Sequence, residues 1–396
     1  MWGQDSAMPR NPEKIDYSGG LPLGFESFEI LADPRTGNHK KHHFGEVLFM
    51  VITATLCNMN TFTEIEDFCE AQVDWFRRWI SLPHCVPTAQ TFANIFALIR
   101  PEKFNECLRA HLGTISPVLR DQVIAIDGKS LRGSHTMKQN PVHVVSAWAS
   151  QQRVTLCQSH VPNKENEIAA IGRILDLLDL EGHTVTLDAM GTQRAFAEKI
   201  IQQKADYLFA LKGNQGRLHK EAIDHFHFAL RHLKLETAQG WSIHQDYQDG
   251  HDRQTLCSLV ATEKLDWMDS EIRALWPGLR SLIVVENRTT EKGSGRERRP
   301  EKRYYLTSLP ADAQSLRETI RAHWQIENAC HWNLDTSFKE DANQTKAGNA
   351  SKNLGTVRRI ALNLLNTDTG TIKSLPRKRL QALMNPAYRE RVLSLA

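Results

Sequence analysis

Three carboxylates, Asp127, Asp188 and Glu327, pose the chemical question in this sequence. Asp127 closes the apolar run VIAID, and Asp188 closes VTLD, 61 residues later. Both runs read as short strands, and in open α/β sheets sites form beyond the carboxyl ends of strands. Three converging carboxylates without a thiol or histidine cage suit a hard divalent cation, Mg²⁺ or Mn²⁺. Two such ions about 3.5–4 Å apart can activate a nucleophile and stabilise a leaving oxygen in phosphodiester chemistry. Each residue also has a plainer reading: Asp127-Gly128 as a turn, Asp188 as a helix cap, Glu327 as the partner of an arginine. The three in this order favour a site over three separate coincidences.

Glu327 sits in SLRETIRAHWQIENACHWNLDTSFKED, 315–341. Ser315 and Glu318 have the spacing of a capping box, which predicts a helix starting there. At 100° per residue, Leu316, Ile320, Trp324, Leu334 and Phe338 form one apolar stripe, with Glu327 at its centre. A carboxylate on a core-facing stripe is costly unless something pairs with it. His323 and His331 stand one turn to either side. The three could hold zinc from one helix face, but the HExxH order of zinc hydrolases is absent, and hard-metal chemistry is preferred. DGKS at 127–130 lacks the first glycine of a phosphate-binding loop, since Val123 stands there. Ser130, Ser134 and the cysteines show no triad pattern. Trp324 and Trp332 read as packing anchors.

These residues need a scaffold, and 396 residues can supply two or three domains. Residues 1–20 read as a loose leader. Residues 21–120 read as helical: Thr61 and Glu64 form a capping box, Thr88 caps the next helix, and Pro101 opens another. A helix-turn-helix DNA reader is compatible with this stretch, but no basic row marks 88–100, so a packing bundle is expected. From 121 to 214 the order is β-β-β-α-β-α-β. Residues 215–314 read as a β-rich insertion with the basic loop KGSGRERRPEKR, 292–303, at a hairpin tip. The Glu327 helix and the end of the core occupy 315–366, and 367–396 is a basic helical tail.

The formal charge of +3 is too small to demand a polyanionic partner. Its distribution is more informative: 352–396 holds nine Lys/Arg against two acids. The tail (358–379) and the 292–303 loop are therefore expected to touch phosphates. Seven scattered cysteines without a CxxC pair fit reduced thiols, and the apolar run 47–57 is too short to span a bilayer. The location expected is the cytoplasm, with association to the nucleoid when on DNA.

AIDGKSLRGS, HVVSAWAS, NKENEI, VTLDAMGTQ, YLFALKGNQ and the stretch from HWQIEN to RRIALNLL resemble the bacterial H-repeat-associated insertion-sequence transposases of the DDE superfamily. DPRTGNHKKH, EIEDFCEAQVDWFRRWI and TFANIFALIRPEKF resemble the helical domain associated with them. The resemblance spans about residue 25 to 366. It implies an α/β, ribonuclease-H-like mixed sheet core with a β-rich insertion, preceded by an α-helical N-terminal domain. It implies Asp127, Asp188 and Glu327 as a catalytic, metal-binding triad holding two Mg²⁺ or Mn²⁺ ions. Many related transposases place Tyr, Arg and Lys seven and four residues before and seven after the glutamate; this chain has Ile320, His323 and Leu334 there.

The activity this implies is endonucleolytic cleavage at element ends, then attack of the freed 3′-OH on target DNA, in DNA recombination. The partners are double-stranded DNA, both ends and target, and a second copy of the chain on DNA; no membrane is involved. Lys129, Arg132, Lys212, Arg298, Arg299, His323, Asn328, His331 and Lys339 are candidate DNA contacts. The alternatives are a DNA-binding protein that has lost catalysis and a metal-dependent nuclease without strand transfer.

Overall fold

The computed structural model describes residues 21–22, 24–37, 40–115, 122–131, 133, 142–161, 167–372 and 374–395. The leader, Arg132, Lys373 and most of the NKENEI stretch lie outside them. The helices α1 (Phe44–Leu56), α2 (Phe62–Ala71), α3 (Val73–Phe76), α4 (Ala89–Leu98) and α5 (Pro101–Ile115) come first. Next in the chain are β1 (Val123–Leu131), β2 (Val142–Ala149), β3 (Val154–Val161), α6 (Glu167–Leu177), β4 (Thr184–Leu187), α7 (Arg194–Gln202), β5 (Asp206–Leu211) and α8 (Gly216–His232). The stretch after α8 carries β6 (Trp241–Asp249), β7 (Arg253–Thr262), α9 (Ser270–Ala274), β8 (Ser281–Glu291) and β9 (Glu301–Thr307). The chain ends with α10 (Ala313–His323), a π-helical turn at Ile326–His331, α11 (Trp332–Thr336), α12 (Ala350–Thr367), α13 (Leu375–Met384) and α14 (Pro386–Val392). No described helix is long and apolar enough to cross a membrane.

The chain divides into two units. One comprises residues 1–117, 132–134 and 333–396, the other 118–131 and 135–332. Residues 315–332 lie in the sheet unit, as the sequence pattern assigned them, whereas 333–366, also assigned to the sheet core, lie with the remaining C-terminal helices in the helical unit. Packing explains the difference: α12 lies against α1, α4 and α5. All 13 residues of α1 are buried, so this helix is the unit's axis. The expected caps are present, with Thr61 and Glu64 bonded reciprocally and the Thr88 side chain accepting from the Thr91 N–H. Asn353 of α12 donates to the Phe96 and Ile99 carbonyls, satisfying acceptors left free at the end of α4.

The basic tail corrects an expectation. Arg358, Arg359, Arg379 and Arg389 are all buried, at 0–2% exposure, and so cannot line a DNA-binding surface. Each is held by partners within the unit. Arg359 Nη1 lies 2.7 Å from Glu340 Oε1 and 3.0 Å from the Gly355 carbonyl. Arg379 donates to the Thr55 and Ser337 carbonyls and stacks over Phe338. Arg389 lies 4.1 Å over the Trp75 ring. Burial lowers the Arg358 guanidinium to about 10 and that of Arg379 to about 9.

The second unit is built on one nine-stranded mixed sheet in the order β3-β2-β1-β4-β5-β9-β8-β7-β6. β1, β4 and β5 are parallel; β2 and β3 run antiparallel beside β1. α6 and α7 supply the connections that parallel strands require. The inserted strands extend this same sheet, because β9 pairs antiparallel with β5. On one face, Leu259, Ile283, Val285 and Tyr305 pack under Leu316 and Ile320 of α10.

Candidate active site

Strand register brings the two aspartates together. In the parallel β1–β4 ladder the last pair is Ile126 with Leu187, so Asp127 and Asp188 are the next residues on neighbouring strands. β1 does not end at Asp127, as its apolar run predicted. It continues to Leu131 because β2 still pairs with it, Asp127 opposite Ser146. What ends at Asp127 is the parallel ladder, which opens a gap between the two strands. The Asp188 carboxylate accepts from the Gly191 N–H at 3.0 Å, and that local turn fixes it at the end of β4.

Glu327 comes from the π-helical turn. The helix starts earlier than the Ser315–Glu318 spacing predicted: Asp312 is the cap, accepting from the Gln314 and Ser315 N–H groups. After α10, the Trp332 N–H bonds to the Glu327 carbonyl five residues back. One extra residue in a turn rotates the residues beyond it by about 100° relative to an α-helix. This corrects the projected stripe. Ile326 takes the buried position at 0% exposure, and Glu327 is exposed on a cavity wall instead of facing the core. Leu316, Ile320 and Trp324 pack on the sheet, whereas Trp332, expected as an anchor, is 59% exposed.

Asp127, Asp188 and Glu327 line one cavity of about 400 Å³, together with Lys212, Arg303, Tyr304 and His323. Burial pushes the Asp127 carboxyl up to about 7; the Gly128 N–H opposes this, and the charges of Asp188, Glu327 and Glu167 add to it. Glu327 is raised as well, by burial first, with Asp188 adding to it against the pull of Arg303. Such mutual repulsion marks a place where a cation is favoured. Among the described residues no group of three or more His, Cys, Asp or Glu side chains is drawn together closely enough to hold a metal ion. The donors that Asp127, Asp188 and Glu327 offer are carboxylate oxygens, the type that a hard divalent cation takes.

The two histidines have different partners, which argues against zinc held between them. His323 Nδ1 lies 2.8 Å from Thr186 Oγ1, and burial lowers its imidazole to about 4, with Asp188 pulling the other way. His331 Nδ1 lies 3.6 Å from Asp127 Oδ2. Of the other candidates, Lys212 is exposed on the cavity wall and Asn328 lines an adjoining groove. Arg298 and Arg299 line a second groove. Lys129 is buried at 9% exposure and is thereby removed from the DNA-facing set. Lys339 belongs to the helical unit, and Arg132 lies outside the described residues.

Two features escaped the sequence pattern. Arg303, on β9, lies 4.6 Å over the Trp324 ring at the cavity edge; strand alternation in EKRYYLT was the signal that could have placed it. Ser130 Oγ, His143 and Glu167 form a hydrogen-bonded file, with 3.1 Å to His143 Nδ1 and 3.0 Å from Nε2 to Glu167. A Cβ on Gly128 would come within 2.3 Å of His143 Nε2, so this strand needs glycine beside Asp127.

The family described as "Transposase DDE domain" matches residues 119–364, and the one described as "DDE_Tnp_1-associated" matches 25–112. The chain is 32% identical over 367 residues to a putative transposase, YncI, of Escherichia coli O157:H7, covering 92% of this chain and 93% of that protein. It is 32% identical over 372 residues to the H repeat-associated putative transposase YhhI of Escherichia coli strain K12, covering 93% and 97%. Among solved structures, piggyBac transposase in a synaptic complex with hairpin DNA matches at TM-score 0.39 and 9% identity over 95% of this chain and 78% of that one, too distant to argue from. With a family match over most of its length and such relatives, the chain belongs to the DDE-domain transposases, alongside the H repeat-associated putative transposases.

Proposed function

We propose that this transposase cleaves DNA at the ends of an insertion-sequence-like element and joins the freed 3′-OH to target DNA, through a ribonuclease-H-like core. The observation that carries the reading is the Ile126–Leu187 register, which sets Asp127 beside Asp188 on a cavity that Glu327 also lines. The β3-β2-β1-β4-β5 half of the sheet, with β2 antiparallel and β1, β4 and β5 parallel, supports the ribonuclease-H-like reading. Asp127, Asp188 and Glu327 would hold two Mg²⁺ or Mn²⁺ ions, which when bound activate the attacking oxygen and stabilise the leaving one.

The chain's own groups have separate tasks. Asp127 must lose its proton to act as a ligand, and its raised carboxyl makes that loss the step most sensitive to pH below about 7. His331, 3.6 Å away, orients the Asp127 carboxyl. Lys212 and Arg303 on the cavity wall attract the phosphodiester and fix its position. His323 is neutral near pH 7 and serves as a hydrogen-bonding wall against Thr186.

Purified protein, end-containing DNA and Mg²⁺ should give nicked product. Asp188→Asn should lower the cleavage rate by at least about a thousandfold while leaving DNA affinity in Ca²⁺ near wild type. Cleavage by the mutant at the wild-type rate would overturn the assignment.

A further inference from the structure

The sheet face that α10 covers at one end lies open at the other. There the exposed ends of β6–β9 form two grooves of about 520 and 670 Å³, and both share Arg253, Asn287 and Arg303. Arg303 also lines the carboxylate cavity, so the three spaces meet at one guanidinium. We propose that this open face is a track for a nucleic-acid strand leaving the carboxylates, with Arg303 at its entrance and Arg253 and Arg299 along its floor. The inference rests on the phosphodiester reading of the carboxylate cavity and extends it to where the strand runs.

Charge and geometry point the same way. Most basic groups around the β8–β9 hairpin are already paired: Lys292 with Asp249, Arg298 with Glu291, Lys302 with Glu286 and Arg288 with Glu286. Arg253 and Arg299 have no carboxylate within ion-pair distance among the described residues, and both face the same groove. The acids on that groove, Asp249 and Glu301, are each matched by a cation, Lys292 and Arg303. The groove therefore carries unbalanced positive charge.

Arg303 is held in one plane. Its Nε lies 2.8 Å from Glu301 Oε1, and its guanidinium stacks on Trp324 at 4.6 Å. Tyr305 takes a further guanidinium hydrogen bond, which leaves the remaining Nη donors for a phosphate, and a guanidinium fixed by stacking loses little freedom when it binds. The first groove otherwise presents Asn287, Thr255, Thr289 and Gln248, which are short, uncharged hydrogen-bonding groups, and the second adds Asn328, Tyr247 and two arginines, Arg317 and Arg321, that are paired with Asp246. Such a surface suits a strand followed by its backbone, without base-specific readout.

The test uses the full-length protein in Ca²⁺ and two labelled probes, an oligothymidylate and a blunt duplex, followed by fluorescence anisotropy across a salt series. Arg303→Ala should weaken oligothymidylate binding about fivefold to tenfold and flatten the log–log salt slope by about 0.7, the value for one phosphate contact to a single strand. Arg303→Lys should keep the slope and lose part of the affinity, because the charge remains without the fixed plane. Arg253→Ala should flatten the slope in the same way, and the duplex should lose less in every variant. Unchanged slope and affinity in both alanine variants, with wild-type thermal unfolding, would overturn the track. Asp188→Asn separates the two levels. If that variant neither cuts nor loses affinity while Arg303→Ala binds normally, the catalytic reading stands and the track fails. If wild type binds neither probe, both fall.

Discussion

Two arginine-rich regions of this chain look alike on paper and fold to opposite ends. In α12–α14, Arg358, Arg359, Arg379 and Arg389 are inside, each closed off by a carbonyl, a carboxylate or an aromatic face. Around β7–β9, Arg253, Arg298, Arg299 and Arg303 stand on groove walls. The difference lies in what surrounds each guanidinium. A helix end buried in a bundle exposes carbonyls without intrahelical partners, and Arg has five donors in a fork to satisfy them. A sheet face not covered by a helix offers no such carbonyls, so its arginines meet surface carboxylates, as Arg298 meets Glu291 and Arg303 meets Glu301, or stay open to an anion from outside, as Arg253 and Arg299 do. Basic residue counts therefore report available charge only where the surrounding backbone is already satisfied.

The sharpest way to break this comparison is to remove one partner of a buried pair. Arg359 and Glu340 are both fully buried. Glu340→Gln should cost roughly 3–5 kcal/mol in urea unfolding, since it strands a buried cation. A loss under about 1 kcal/mol would mean the interior arginines are less dependent on their partners than their burial implies.

Asp127 is the opposite case, a largely buried carboxylate facing other carboxylates. Its folded pKa of about 7 lies above its unfolded value, so the folded state holds the proton more tightly. Between about pH 4 and pH 7 the metal-free protein should lose stability as pH rises, and level off above. Asp127→Asn should remove that decline and be more stable than wild type by roughly 2–4 kcal/mol at pH 8. At pH 4 the two should unfold alike. Mg²⁺ should stabilise wild type at pH 8 and leave the variant nearly unmoved. A variant no more stable at pH 8 would show that the carboxylate is not repelled in the folded state.

The smallest effect separates neighbours on the hairpin. Arg298 is paired with Glu291, and Arg299 has no such partner among the described residues. Each alanine variant should stay within about 0.5 kcal/mol of wild-type stability. Arg299→Ala should flatten the salt dependence of DNA binding by about 0.7–0.9, and Arg298→Ala by less. Equal slopes would mean that the ion pair opens on DNA.

Much of the sheet was legible from local pattern. The runs read as strands at 123–127, 143–150, 154–161 and 206–214, and the one ending in Asp188, each hold a strand, though β2 stops at Ala149 and β5 at Leu211, because continuous or alternating apolar residues bounded by turn residues have few other stable forms. The boundary of β1 was not legible, since Gly128 to Leu131 are kept extended by pairing with β2 and not by their own pattern. Glu327 was singled out from the sequence for a partly mistaken reason. The helical projection put it on the buried stripe, but the π-helical turn puts Ile326 there and Glu327 on the cavity. An inserted residue in a helix leaves no trace in hydrophobic spacing.

By itself, then, the sequence determined that three carboxylates belong to an alternating α/β segment, and that a helical region precedes it. Those properties come from side-chain type and period, which are local. Only the tertiary structure decided which charges are available. It set Asp127 beside Asp188 through a ladder that ends one residue earlier. It drew four tail arginines inside and left Arg253, Arg299 and Arg303 at the surface of a groove. Burial and partnership depend on atoms distant in the chain, and no count along the sequence contains them.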